Sequence, residues 1–242
     1  MSADLDNAQG APRVIAVTGF SGRLLSGPHP AEASEREAIA EAWARGLAEK
    51  PKMFDGRVLL GETAEVRDGV LEVAFRETGF SFMIWRRELP AAERPLINVF
   101  GAAAVVSSDG AVLLGRMGDH TANAGRVYFP AGTPDLDDLV GETVDVEGSI
   151  ARELDEETGL TEADACPSER RFAVFHGPLV AYVRVYLSGL DAEALAAKAR
   201  AYIAADPEAE LSDVVFKPRG DPLGPEIPPY VRAAIETIFA PD

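Results

Sequence analysis

Apolar positions in this chain follow two periods, and the change from one to the other outlines its elements. Between Ala31 and Lys50, Ile39, Trp43 and Leu47 stand four residues apart, which predicts a helix, and Pro51 lies just past its end. Ahead of it, Arg13–Thr18 reads as a strand. Behind it, strands at Arg57–Leu60 and Val70–Arg76 flank Asp68-Gly69, a dipeptide suited to a hairpin turn. Phe80–Arg87 predicts a short helix carrying Phe82 and Trp85, and the proline-bearing link Leu89–Pro95 marks a domain boundary. Trp43 and Trp85 read as core residues rather than base-stacking platforms, and His29, between prolines, as a surface residue.

From Ile97 the pattern changes. Ile97–Ser107 is a long apolar strand, and Asp109-Gly110 turns it into Ala111–Arg116. A polar loop, Met117–Ala124, leads to a strand at Arg126–Pro130 that enters Ala131-Gly132-Thr133-Pro134. Asp135–Val144 is acidic and reads as a solvated loop, and Asp145 is a good N-cap for the helix that follows. Thr161–Arg171 reads as a connector, with strands at Phe172–Phe175 and Leu179–Leu187. A helix capped by Asp191, a strand at Leu211–Phe216 and a helix opened by Pro228 and Pro229 complete the chain. Interleaved strands and helices predict an α/β fold with helices on both faces of a mixed sheet.

One helix carries an unusual charge pattern. Val146, Ile150 and Leu154 form its core-facing stripe. In projection Glu157 falls between Val146 and Leu154, Glu153 falls beside Val146, and only Glu156 lies clearly to one side. Two like charges ~6 Å apart at an effective dielectric of about 20 repel by roughly 3 kcal/mol, and a carboxylate on a packed edge must also be desolvated. Arg152, four residues before Glu156, neutralises part of this charge. The remainder suggests a hard-cation site with oxygen ligands.

The stretch Arg152-Glu153-Leu154-Asp155-Glu156-Glu157-Thr158-Gly159-Leu160 resembles the second half of the Nudix box, G-x5-E-x7-R-E-U-x-E-E-x-G-U, where U is aliphatic. The first half departs from it. Counted back from Arg152, the box glycine falls on Asp138 and the box glutamate on Val144, with Gly132 and Glu142 as the nearest substitutes. The loop between Gly132 and the helix is therefore expanded. The resemblance covers residues 96–242 and implies a Nudix α/β/α sandwich with a mixed sheet. Residues 13–95 would then be a small α+β accessory domain, and residues 1–12 a disordered tail. In Nudix enzymes with such a segment it helps form the substrate pocket or a homodimer, and both roles are open here.

The same resemblance implies a Mg2+- or Mn2+-dependent hydrolase cleaving a nucleoside diphosphate linked to another moiety. Glu153, Glu156 and Glu157 would be the metal ligands, Arg152 would orient a glutamate, and Ala131 and Gly132 would approach the substrate phosphates. A later carboxylate such as Glu226 is a candidate base, and His120 and His176 fall in loops able to reach substrate. In overall plan the chain is similar to nucleotide-sugar diphosphatases acting on ADP-ribose or UDP-sugars. Coenzyme A diphosphatases and a non-catalytic nucleotide-sensing or interaction module are the alternatives.

Composition narrows the partners. A 242-residue chain that is 47% hydrophobic can bury a sizeable core. Its formal charge of −17 disfavours nucleic acid and anionic membrane surfaces. An anionic substrate would need bound metal and local cations. Cys166, the single cysteine, excludes an intrachain disulfide and reads as a spectator thiol. The polar N-terminus lacks a signal peptide's apolar region, and no uncharged apolar run is long enough to span a bilayer, so a cytoplasmic location is expected.

Overall fold

The computed structural model describes residues 10–240. The part of the expected tail at residues 1–9 lies outside the described residues.

Thirteen strands form two sheets among the described residues. The larger contains β1 (Arg13–Ala16), β5 (Asn98–Val106), β6 (Ala111–Met117), β11 (Ala165–His176), β12 (Leu179–Ser188) and β13 (Leu211–Pro218). Their order is β1-β11-β12-β5-β6-β13, with β12 and β5 parallel. The second sheet has the order β3-β4-β2-β10-β9. It contains β2 (Gly19–Leu24), β3 (Arg57–Arg67), β4 (Val70–Gly79), β9 (Leu139–Val140) and β10 (Thr143–Val144). The helices are α1 (Pro30–Ser34), α2 (Arg36–Glu49), α3 (Phe80–Glu88), α4 (Val146–Thr158), α5 (Ala192–Ala205) and α6 (Pro229–Phe239).

β5 is apolar along its length because both of its faces are covered. Phe100, Ala102 and Ala104 pack with Tyr230, Val231 and Ile235 of α6, while Val99, Ala103 and Val105 pack with Ile150 and Leu154 of α4. The mixed sheet thus lies between helices, as an α/β class requires. Gly101 lets α4 approach, since a Cβ there would sit 2.4 Å from Ile150 Cγ1. The same layer joins the second sheet through Leu59, Leu71, Val73 and Phe75. A third cluster packs Ala42 of α2 against Phe82, Met83 and Trp85 of α3.

β5 and β6 pair only at Val106 and Val112, beside their turn, and then part. Two short strands occupy the gap. β7 (Val127–Tyr128) pairs with β6, and β8 (Ala131–Gly132) pairs with β5. This opening positions the candidate site.

Several expectations need correction. β1 is not part of a separate N-terminal unit: Arg13–Ala16 pairs with Phe172–Phe175 in the larger sheet. β10 pairs with β2, so backbone hydrogen bonds cross the division placed at residues 95/96 in both sheets. Asp135–Val144 is not a solvated loop. It forms a 3-10 turn (Leu136–Asp138) and the hairpin β9–β10, and Asp138 and Val144 are buried. The connector Thr161–Arg171 is mostly strand, because β11 starts at Ala165 and keeps pairing with β12 across an irregularity between Pro167 and Arg171. The helix expected from Ala31 to Lys50 is interrupted at Glu35 between α1 and α2.

Candidate metal and substrate site

α4 begins where the side chain of Asp145 accepts from the Gly148 backbone N–H at 3.0 Å. It ends at Gly159, whose φ of 66° favours glycine. With Val146, Ile150 and Leu154 seated on the sheet, the helix rotation is fixed and so are its glutamates.

Glu157 lies on the buried edge at 8% exposure. Its Oε2 has no hydrogen-bond partner. Burial holds its pKa well above the usual carboxylate range, and the charges of Glu153 and Glu210 add to this, against a backbone hydrogen bond from Ala131. The side chain of Glu153 is 17% exposed. Burial pushes its pKa up to about 7, opposed by Arg152 and assisted by Glu156, Glu210 and Asp138. Glu156 differs: its side chain is 59% exposed and takes the Arg152 Nη1 at 3.1 Å.

Arg152 spans three carboxylates. Its Nη2 donates to Asp138 at 3.0 Å, and its Nη1 also lies 3.3 Å from Glu153. Burial works against its charge, but the hydrogen bond to Asp138 and the nearby carboxylates outweigh burial and raise its pKa.

The cleft between β5 and β6 has a volume of ≈ 520 Å³. Glu153, Glu210, Ala131 and Gly132 lie on its polar side. A Cβ on Gly132 would fall 2.1 Å from Glu153 Oε1, so any side chain here would displace the Glu153 carboxylate. Phe80, Met83, Phe100, Tyr128 and Tyr230 form an apolar wall, and Lys52 and Arg87 bring cations to the lining. Lys52, Phe80, Met83 and Arg87 come from the N-terminal third, which therefore builds part of the cleft. Burial, with Glu157 and Glu210 nearby, raises the Tyr128 pKa and keeps this phenol neutral.

The expected triad is only partly gathered. Glu153 and Glu157 come together, and Glu156 faces outward with Arg152. Among the described residues no three acidic, histidine or cysteine side chains converge closely enough to cage a metal. Two carboxylates nevertheless suit Mg2+, which keeps several waters and takes further oxygens from substrate phosphates. The unpartnered Oε2 of Glu157 and the half-buried Glu153 fit such an ion.

Glu226 is not on the cleft lining, and its backbone oxygen accepts from Val127 instead. Glu210 is the later carboxylate that is, anchored where its carbonyl accepts from the Gly118 N–H at 2.7 Å. It immediately precedes β13, and no spacing relative to α4 announces it. His120 lines the cleft. His176 is buried away from it, and burial lowers its pKa. Among the described residues no helix is long and apolar enough to cross a membrane.

No family model matches this chain, and no curated protein matches it. Solved structures do. It is similar to the MutT protein from Methanosarcina mazei Go1, at 20% identity and a TM-score of 0.39, over 59% of this chain and 92% of that one. It is similar to a Nudix hydrolase from M. smegmatis, RenU, at 14% identity and a TM-score of 0.37, over 58% and 81% of the two chains. It is also similar to the NUDIX domain of Shewanella oneidensis NrtR complexed with ADP ribose, at 16% identity and a TM-score of 0.35, over 58% and 84%.

Proposed function

We propose that this chain is a Nudix-type hydrolase that uses Mg2+ or Mn2+ to cleave the diphosphate of a nucleoside diphosphate linked to another moiety. Nucleotide sugars of the ADP-ribose or UDP-sugar class are its proposed substrates. The supporting observation is the pair Glu153 and Glu157, desolvated on one edge of α4, with the charge of a third carboxylate, Glu210, acting on both. An unpaired buried charge is costly unless something neutralises it. A divalent cation held by this pair would offset that cost.

When bound, such an ion would lower the pKa of an attacking water and neutralise charge developing on the phosphoryl oxygens. The chain's own residues supply the rest. Ala131 holds Glu157 through its backbone, and Gly132 keeps the floor of the cleft open to phosphate. Lys52, which pairs with Glu208 at 2.8 Å, and Arg87 bring positive charge to the lining, and the wall from Phe80 to Tyr230 offers the nucleoside aromatic and apolar contact. Glu210 lies on the polar side, where it can accept the proton of the water.

The test is a panel of ADP-ribose, UDP-glucose, NADH, coenzyme A, dinucleoside polyphosphates and nucleoside triphosphates, read as phosphate after phosphatase coupling. Glu157→Gln is expected to abolish Mg2+-dependent release while leaving the circular dichroism spectrum unchanged. Undiminished hydrolysis by that variant would refute the proposal.

A further inference from the structure

The box position three residues after Gly141 does not carry the glutamate of the Nudix pattern: counted back from Arg152 it is the apolar Val144. The carboxylate that meets Arg152 comes instead from the turn ahead of β9. Asp138, with its side chain only 3% exposed, accepts from Arg152 Nη2 at 3.0 Å. Its Oδ2 accepts from Ser149 Oγ at 3.1 Å and from the Asp135 N–H at 3.0 Å. Its carbonyl accepts from the N–H of Asp145, the N-cap of α4, at 2.8 Å. It is thus fixed on several sides before it meets the guanidinium.

Arg152 alone would be a poor guide for two glutamates, because a long side chain has many rotamers and must lose them to hold one geometry. Anchoring one nitrogen on a buried, immobile carboxylate removes that freedom. The other nitrogen then lies 3.3 Å from Glu153 and 3.1 Å from Glu156. We propose that Asp138 is a positioning residue: it holds Arg152 and, through it, sets Glu153 for cation binding. This rests on the function proposed above. The hairpin β9–β10, paired to β2, makes the second sheet the support for that arrangement.

A purely structural Asp138 would staple the hairpin to α4 and affect only stability. The two roles separate in a double-mutant cycle on Asp138→Asn, Arg152→Ala and the double variant of the full chain. Mn2+ affinity is measured by calorimetry, and kcat and KM on the best substrate of the panel. Asp138→Asn keeps size and an acceptor for Ser149 but loses the charge facing Arg152. It is expected to weaken Mn2+ binding about tenfold and to lower kcat with KM for the nucleotide nearly unchanged. In the Arg152→Ala background it is expected to add less than about a twofold further loss, because the effect passes through Arg152.

Folded Asp138→Asn protein with wild-type Mn2+ affinity and kcat overturns the inference, as does full additivity. If Asp138→Asn does not fold, Arg152→Lys decides. Its ammonium cannot reach Asp138 and both glutamates together, so the same tenfold loss is expected and unchanged Mn2+ binding overturns the inference. Wild-type protein that neither binds Mn2+ nor turns over substrate would remove the functional reading itself. Wild-type binding that Asp138→Asn matches would remove only this inference.

Discussion

If Glu153 is held in place for a cation, the cation-free protein bears the cost, and removing the charge should stabilise it. Burial carries its carboxyl from a usual value of 4.5 to about 7, a difference of about 3 kcal/mol. Part of the site's cohesion is the Arg152 contact at 3.3 Å. That contact already opposes the shift, so Glu153→Gln should gain about 3 kcal/mol. The pH dependence has a definite sign. Between 4.5 and about 7 the folded chain keeps a proton on Glu153 that the unfolded chain has released. Stability therefore falls as pH rises through that window, with no cost below it and the full cost above it.

Thermal unfolding followed by circular dichroism in a chelator is the assay. At pH 8 the Tm of Glu153→Gln should exceed wild type by about 6–12 °C, and at pH 4 the two should coincide. Added Mg2+ should raise the wild-type Tm and leave the variant's nearly unchanged. A variant no more stable than wild type at pH 8, with the same pH dependence, would refute the reasoning.

Two further substitutions probe the backbone that supports the site. Gly132→Ala places a Cβ 2.1 Å from Glu153 Oε1, and should lower Mg2+-dependent kcat at least about tenfold as the glutamate moves. A steady-state assay showing unchanged turnover would contradict it. Gly101→Ala drives a Cβ to 2.4 Å from Ile150 Cγ1, and should cost about 1–3 kcal/mol in urea unfolding by overpacking α4 against β5. An unchanged midpoint would show that the helix can retreat freely.

The sequence makes some of this plain because the signals are local. Asp68-Gly69 and Asp109-Gly110 each close the hairpin they suggest, with positive φ at both glycines. The α4 stripe, with Asp145 and Gly159 at its ends, gives the helix and the burial of Glu157. Long-range pairing is less legible. Four residues of β1 are too short to name their partner, and β2, with Gly19, Ser21 and Gly22, shows no alternating pattern. Asp138 and Glu210 look like ordinary acidic surface residues. Only the turn before β9 and the pairing of β13 with β6 bring them to α4 and the cleft.

The pairing of Arg13–Ala16 with Phe172–Phe175 also sets a timetable for synthesis. At about 5–20 residues per second, the first strand leaves the ribosome roughly 8–30 s before the partner it needs. The second sheet also waits, for a shorter time, since β2 pairs with β10 at Thr143–Val144. Pairing of the first strand is tied to synthesis of the segment Phe172–Phe175 rather than to a finished first half.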